Sequence, residues 1–226
     1  MEFCTNDDSI VLDFFSGSAS TAHSVFIQNV KDDKTRHFIL VQIPEATDNK
    51  SEAYKAGFKT ISEIGKERIK RVGNIIREEN PGKNIDTGFR VFKCDSSNMK
   101  DVYFSPTEYS QSQLTGLEDN IKEDRTDLDL LFDCMLRWGV ELTLPVSSIK
   151  EANCTIYNVN AGDLVACFDG KITDVVIDKI ADMNPLRVVF RDSNFDEASQ
   201  KMNLFELFKQ KCNWTEQEVI NNVKVI

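Results

Sequence analysis

Histidine is nearly absent from this sequence: His23 and His37 are the only two. The six cysteines, at 4, 94, 134, 154, 167 and 212, form no Cys-x-x-Cys pair. Zinc ligands come as closely spaced Cys and His pairs, so no metal site is expected. No apolar run approaches the ~20 residues of a membrane span. The first residues, Met-Glu-Phe-Cys-Thr-Asn-Asp-Asp, lack the basic start and apolar core of a secretory signal. Reduced thiols, a cytoplasmic location and no membrane contact are expected. Basic charge is also short, with 27 Lys and Arg against 37 Asp and Glu and a net charge of −10. A free-standing duplex-DNA binder normally carries a basic face. If the chain belongs to a DNA-acting machine, it is not the part that grips the duplex. What is present is ordinary for a globular protein: 226 residues, 41% hydrophobic and 28% charged. A chain of this length buries about 70% of its unfolded surface and needs no disulfide or metal staple.

Ile10–Phe15 is a short apolar run and predicts a strand, and Thr21–Val30 places Ala22, Val25, Phe26 and Val30 at helical spacing. His37–Ile43 is again strand-like and ends at Pro44. Strand, helix and strand within this length predict a βαβ unit with parallel pairing. Thr60-Ile-Ser-Glu63 reads as a capping box. A helical face of Ile61, Ile64, Ile69, Val72, Ile75 and Ile76 follows, until Pro81-Gly82 ends it. The basic stretch from Lys66 to Arg77 reads as its solvated face, with Glu67 and Arg71 a favourable pair. Thr87–Asp95 alternates Phe89, Val91 and Phe92 with polar residues and predicts a third strand. Cys94 and Cys167 then read as core thiols.

From Glu118 to Asp133 acids dominate, which places a domain boundary near 115–126. Beyond it, Leu128, Leu131, Phe132, Met135 and Leu136 predict a helix. Cys154–Val159 and Asp163–Phe168 predict a hairpin across Asn160-Ala-Gly162. A helix over 172–183, a strand over 186–191, a helix over 195–211 and a strand over 223–226 complete the reading. The fold class expected is α/β: a β-α-β-α-β half-sheet over 1–115, an acidic linker over 116–126 and a smaller α/β domain over 127–226.

Chemistry concentrates in Asp13-Phe-Phe-Ser-Gly-Ser-Ala-Ser-Thr21. An acid ends the first strand, a Gly-centred turn follows, and a helix starts. Backbone N–H groups at such a turn suit a carboxylate or phosphate. Neither a Walker loop nor a Gly-x-Gly-x-x-Gly fingerprint is present, because only Gly17 stands where three glycines are needed. An ordinary strand-to-helix turn is the competing reading. His23 and His37 read as a cap or solvent-facing group and a strand-flanking residue.

The same residues resemble the S-adenosylmethionine loop of amino-methyltransferases of the permuted beta class, Asp-Pro-Phe-x-Gly-Ser-Gly-Thr-Thr. The segments 38–45, 50–69, 88–98, 164–168, 188–193 and 224–226 resemble the modification (Mod) subunit of type III restriction–modification systems. The resemblance covers essentially the whole chain. It implies a Rossmann-like, S-adenosylmethionine-dependent, adenine-N6 DNA methyltransferase. Carried over by residue, Asp13, Phe15, Gly17, Ser18 and Thr21 match the loop that holds the methionine end of the cofactor. Gln42 stands where relatives place an acid on the ribose hydroxyls, and Asp95 is a candidate for the adenine edge.

Three departures shape the expectation. Ala19 replaces the second loop glycine and Ser20 a threonine; a methyl group at 19 predicts crowding or a φ below zero, and weakened affinity. The Asp/Asn-Pro-Pro-Tyr/Phe motif, which accepts from the adenine amino group and stacks on the flipped base, is missing. Only Asn80-Pro-Gly and Asn184-Pro-Leu come near it. No catalytic residue is therefore assigned, and the chain reads as the C-terminal portion of a Mod subunit. The expected partners are the missing N-terminal methyltransferase portion and the restriction subunit, with DNA reached only through the full-length enzyme. A homodimer is expected, or a monomer with an apolar C-terminal face. Two rivals stand beside this reading. One is a non-catalytic assembly module with a vestigial cofactor site. The other is a nucleotide-binding oxidoreductase, against which the missing glycines count.

Overall fold

A computed structural model describes residues 5–100, 120–195 and 198–226, and divides into two compact units, Met1–Val91 and Phe92–Ile226. The division falls upstream of the boundary expected near 115–126, and the expected linker residues 116–119 lie outside the described residues.

In the first unit β1 (Ile10–Asp13) leads to α1 (Ser20–Asp32), which returns to β2 (His37–Leu40). The strands pair in parallel, Ile10 beside His37 and Asp13 beside Leu40. The return is fixed at Arg36, only 3% exposed. Its guanidinium donates to both Asp32 oxygens, at 2.9 and 2.7 Å, and to Thr5 Oγ1 at 2.7 Å. That pairing holds the Asp32 carboxyl well below the usual carboxylate range. The short α2 (Glu52–Lys55) precedes α3 (Ile61–Glu79), whose capping box of Thr60 and Glu63 forms as its sequence predicts. The expected Glu67–Arg71 pair closes at 2.7 Å. One face of α3 (Ile69, Val72, Ile76) packs with Ala19, Ala22 and Phe26 of the α1 region, and Phe38 and Leu40 of β2 join that cluster. Ile75, expected on this face, is exposed.

Among the described residues the expected third strand does not form: residues 85–95 pair with none of them, and the first unit's sheet there has two strands, not three. Alternation alone does not make a strand. Ile85 and Phe89 join the first core, whereas the Phe92 ring meets Phe132 edge-on at 4.9 Å in the second unit. The segment is thus anchored to two different cores. Cys94, expected to be a core thiol on this strand, is exposed.

The second unit is a five-stranded mixed sheet with helices on both faces. β3 (Val146–Glu151), β4 (Cys154–Val159) and β5 (Leu164–Cys167) form an antiparallel meander. β6 (Val188–Phe190) and β7 (Val223–Val225) extend it in parallel. Both faces are buried, and alternate residues serve opposite cores. Val165, Cys167, Val188 and Phe190 meet α5 (Asp174–Asp182), α6 (Ala198–Lys211) and α7 (Glu216–Asn222). Leu164, Ala166, Phe168 and Val189 meet α4 (Asp127–Arg137). Cys167 is fully buried, as expected, and burial pushes its thiol up to about 12. The apolar stripe of α4 differs from the expected one. Leu130, Leu131, Cys134 and Met135 are buried, while Leu128 and Leu136 are exposed. Leu204 and Phe208 of α6 lie in the core, with Phe205 and Leu207 packed beside them. No described helix is long and apolar enough to cross a membrane.

Candidate functional site

At the carboxyl ends of β1 and β2 the chain folds a compact turn from residues that are 25 positions apart. Asp13 closes β1 and uses both carboxylate oxygens: Oδ1 accepts the Phe15 N–H at 3.1 Å and Oδ2 the Thr21 hydroxyl at 2.5 Å. This ties the end of the strand to the first turn of α1. On the other strand, Gln42 Oε1 accepts the Gly17 N–H at 2.7 Å, and its amide donates to the Ile43 carbonyl at 3.0 Å. Ser16 N–H reaches the Val41 carbonyl at 3.2 Å. Both strands therefore brace one loop.

Gly17 and Ala19 have φ of 51° and 60°. Gly17 adopts this at no steric cost, whereas a residue with a Cβ pays about 1–2 kcal/mol. Of the two consequences expected of the methyl group at 19, crowding or a φ below zero, the second does not occur: Ala19 adopts the left-handed conformation. Its methyl group is 1% exposed and packs into the core under the loop. Space for it comes from Gly65 in the first turns of α3. A Cβ built on Gly65 would lie 3.4 Å from the Ala19 Cβ and 3.2 Å from the Gly17 carbonyl. Sequence reasoning passed over Gly65, although a glycine inside a strongly periodic helix is itself a signal of close approach.

Gly65→Ala should accordingly destabilise the first unit. Overpacking costs about 1–3 kcal/mol and is offset by about 1 kcal/mol of helix propensity. Pairing it with Ala19→Gly removes one of the two close contacts, so the double variant should lose less than the sum of the singles. Hydrogen exchange of the α1 amides measures this; additive losses would mean the two residues do not press on each other.

Ala19 caps α1 without a side-chain hydrogen bond, and the first turn of the helix holds no acid. The Asp13 carboxylate reaches that first turn through the Thr21 hydroxyl, so the positive end of α1 already faces one carboxylate of the loop. Of the residues predicted to serve the site, Asp13 and Thr21 are brought together, as are Gly17 and Gln42. Ser18 lies between them, half-buried. Phe15 stands at the outer tip, 87% exposed. Asp95 falls in the second unit, and the strand expected to carry it does not form among the described residues. The Ser96 N–H, with Lys93 and Arg125 nearby, lowers its pKa. His23 is half-buried on α1. A cleft of about 390 Å³ in the first unit is lined by Lys70, Asn74, Arg77, Thr87, Gly88 and Phe89, none of them from the loop. No group of His, Cys, Asp and Glu able to hold a metal occurs among the described residues.

The arrangement suits an anionic, hydrogen-bonding ligand end laid across the carboxyl edge of a parallel sheet, the usual ligand position in open α/β folds. No family model matches the chain. It is 32% identical over 222 residues to the type III restriction–modification enzyme EcoP15I Mod subunit of Escherichia coli, covering 94% of this chain and 32% of that subunit. It is 45% identical over 93 residues to the StyLTI Mod subunit of Salmonella typhimurium, covering 41% of this chain and 14% of that protein. It is 37% identical over 67 residues to the type II methyltransferase M.KpnI of Klebsiella pneumoniae, covering 30% of this chain and 16% of that enzyme. The chain spans about a third of the length of the first of these relatives and less of the others.

Proposed function

We propose that this chain, a homologue over nearly its whole length of part of the Mod subunits of type III restriction–modification enzymes, is the S-adenosylmethionine-binding half of an adenine-specific DNA methyltransferase. The observation that carries the proposal is the loop braced from both strands, Asp13 to Thr21 and Gln42 to Gly17, at the carboxyl edge of a parallel pair. The Ser18 N–H and the start of α1, which has no side-chain cap, fit the methionine carboxylate of the cofactor, because the N–H groups of Phe15, Ser16, Gly17 and Ala19 already donate within the protein. When bound, S-adenosylmethionine supplies an activated methyl group. Asp13 and Thr21 hold the loop in shape, Gly17 supplies its positive-φ turn, and Ser18 offers its N–H to the ligand. Gln42 acts first as a brace, because Gly17 already occupies its carbonyl. A ribose hydroxyl would have to share that amide. The Rossmann-like sheet of the whole enzyme is completed by chain outside this one. So are the Asp/Asn-Pro-Pro-Tyr/Phe motif and the contacts to DNA. The restriction subunit is the further partner.

The loop's self-sufficiency favours a second reading, an assembly module whose cofactor site is vestigial. Gln42 is satisfied without a ligand, and Ala19 fills the space that a glycine would leave open. Calorimetric titration separates the readings. Weak, saturable binding of S-adenosylmethionine and none of NAD is expected. Tritiated methyl groups should not pass to unmethylated DNA from this chain alone. No heat with S-adenosylmethionine favours the vestigial site, and binding of NAD favours a dinucleotide enzyme.

A further inference from the structure

The cleft of the first unit lies between the second half of α3 and residues 87–89, and Gly73 makes it possible. A Cβ built on Gly73 would stand 3.0 Å from the Thr87 Cβ and 3.3 Å from its hydroxyl oxygen, so a glycine there lets the segment lie this close to the helix. Ile85 and Phe89, on either side of Thr87, pack against the first core and hold the segment down. Lys70, Asn74 and Arg77 form the other wall. Their spacing of i, i+4 and i+7 puts them on one face of α3.

The lining is a set of donors. Arg77 folds back along the helix: its Nε donates to the Gly73 carbonyl at 3.3 Å and its Nη2 to Asn74 Oδ1 at 2.7 Å. Those bonds bring the guanidinium a turn closer to Lys70 and leave Nη1 for another acceptor. Asn74 spends its carbonyl on Arg77 and keeps its amide hydrogens. None of the lining residues is acidic, in a chain whose net charge is −10. The carboxylate beside the cleft, Asp86, accepts the Gly88 N–H at 2.8 Å.

We propose that this cleft is a second binding site, for the terminal phosphate of a phosphomonoester of about nucleotide size. A doubly charged phosphate sits between Lys70 and Arg77, where a guanidinium and an ammonium supply charge-assisted hydrogen bonds. The Asn74 amide and the Thr87 hydroxyl donate to its remaining oxygens. Phe89 is the apolar part of the wall and meets the organic portion of the ligand. The volume, about 390 Å³, exceeds what a bare phosphate fills and falls in the range of small-molecule sites. The bridging phosphates of a dinucleotide carry one charge each and lack the terminal oxygens, so NAD is not a ligand. The site shares no residue with the loop at the end of β1 and does not depend on the cofactor reading.

The test titrates the ¹⁵N-labelled chain with adenosine monophosphate, inorganic phosphate, adenosine and NAD. The monophosphate should shift the signals of Lys70, Asn74, Arg77 and residues 87–89 saturably, with a Kd on the order of 1 mM at low salt. Inorganic phosphate should move the same signals more weakly, and adenosine and NAD should leave them in place. Lys70→Gln with Arg77→Gln alters two exposed side chains. The variant should keep its circular dichroism and its cofactor titration, but bind the monophosphate on the order of 10-fold more weakly. Asp13→Ala should bind the monophosphate like the parent, so loss of the cofactor with this binding intact would remove the cofactor reading and leave this one standing. A strand end is the second source of the same group. Competition by a single-stranded oligonucleotide only when it carries a 5′-phosphate would assign the cleft to a strand end, and no competition to a free nucleotide; either result upholds the site. Competition by the unphosphorylated strand as well would overturn the proposal. So would the absence of saturable shifts, equal binding of adenosine, or equal binding by the glutamine variant.

Discussion

Asp13→Ala should abolish whatever S-adenosylmethionine binding the chain has. The carboxylate accepts from the Phe15 N–H and the Thr21 hydroxyl, and so joins β1, the loop and α1. Hydrogen bonds to a charged acceptor are worth about 1.5–3 kcal/mol each. Losing both releases the loop and costs roughly 3–6 kcal/mol, two to four powers of ten in affinity. A weak ligand cannot absorb that loss. Asp13→Asn retains one acceptor oxygen and should keep part of the binding. Titration of both variants, with circular dichroism to confirm their fold, checks the order parent, Asn, Ala. An alanine variant that binds like the parent would place the ligand elsewhere.

Phe190→Ala should have the largest effect on stability, and only in the second unit. Phe190 is completely buried on β6, between β5 and β7. Its ring centroid lies 5.9 Å from Phe195 and 6.1 Å from Phe208. Removing such a ring costs about 3–5 kcal/mol, much of the 5–15 kcal/mol that holds a domain together. Phe15→Ala, at a ring 87% exposed, should cost almost nothing. Both tryptophans, Trp138 and Trp214, belong to the second unit, and Trp214 stacks on Phe208 at 6.0 Å. Tryptophan fluorescence in urea therefore reports that unit alone. Its midpoint should fall sharply for Phe190→Ala and stay in place for Phe15→Ala.

Where a local signal sufficed, the sequence was readable. The first four residues of the run Ile10–Phe15 become β1, Thr60 and Glu63 start α3, and Asn160-Ala-Gly162 turns the β4–β5 hairpin with three successive positive φ values. Elements whose existence depends on distant partners were not readable. The Phe89–Phe92 alternation has the period of a strand but no neighbour to pair with among the described residues. β3 has the opposite character. Val146-Ser-Ser-Ile-Lys-Glu151 is an exposed edge with few apolar residues, paired only to β4. Its turn uses Ala152 and Asn153 at positive φ, without the glycine that would announce it. On α4 the apolar residues wrap so far around the helix that two stripes fit the spacing. The buried one includes Cys134, a residue that pattern reading does not count as core. At the site, the loop itself was legible from Asp13, Gly17 and Thr21. Gln42 was legible as a position but not as a brace, because its bond to Gly17 spans 25 residues of sequence.

The loop's role can be tested residue by residue. In a ¹⁵N-labelled sample, S-adenosylmethionine should shift the amide signals of Phe15 to Thr21 and of Gln42 saturably, and leave those of β3 to β7 unmoved. Shifts confined to the second unit, or no saturable shift at the loop, would contradict a cofactor site at the end of β1.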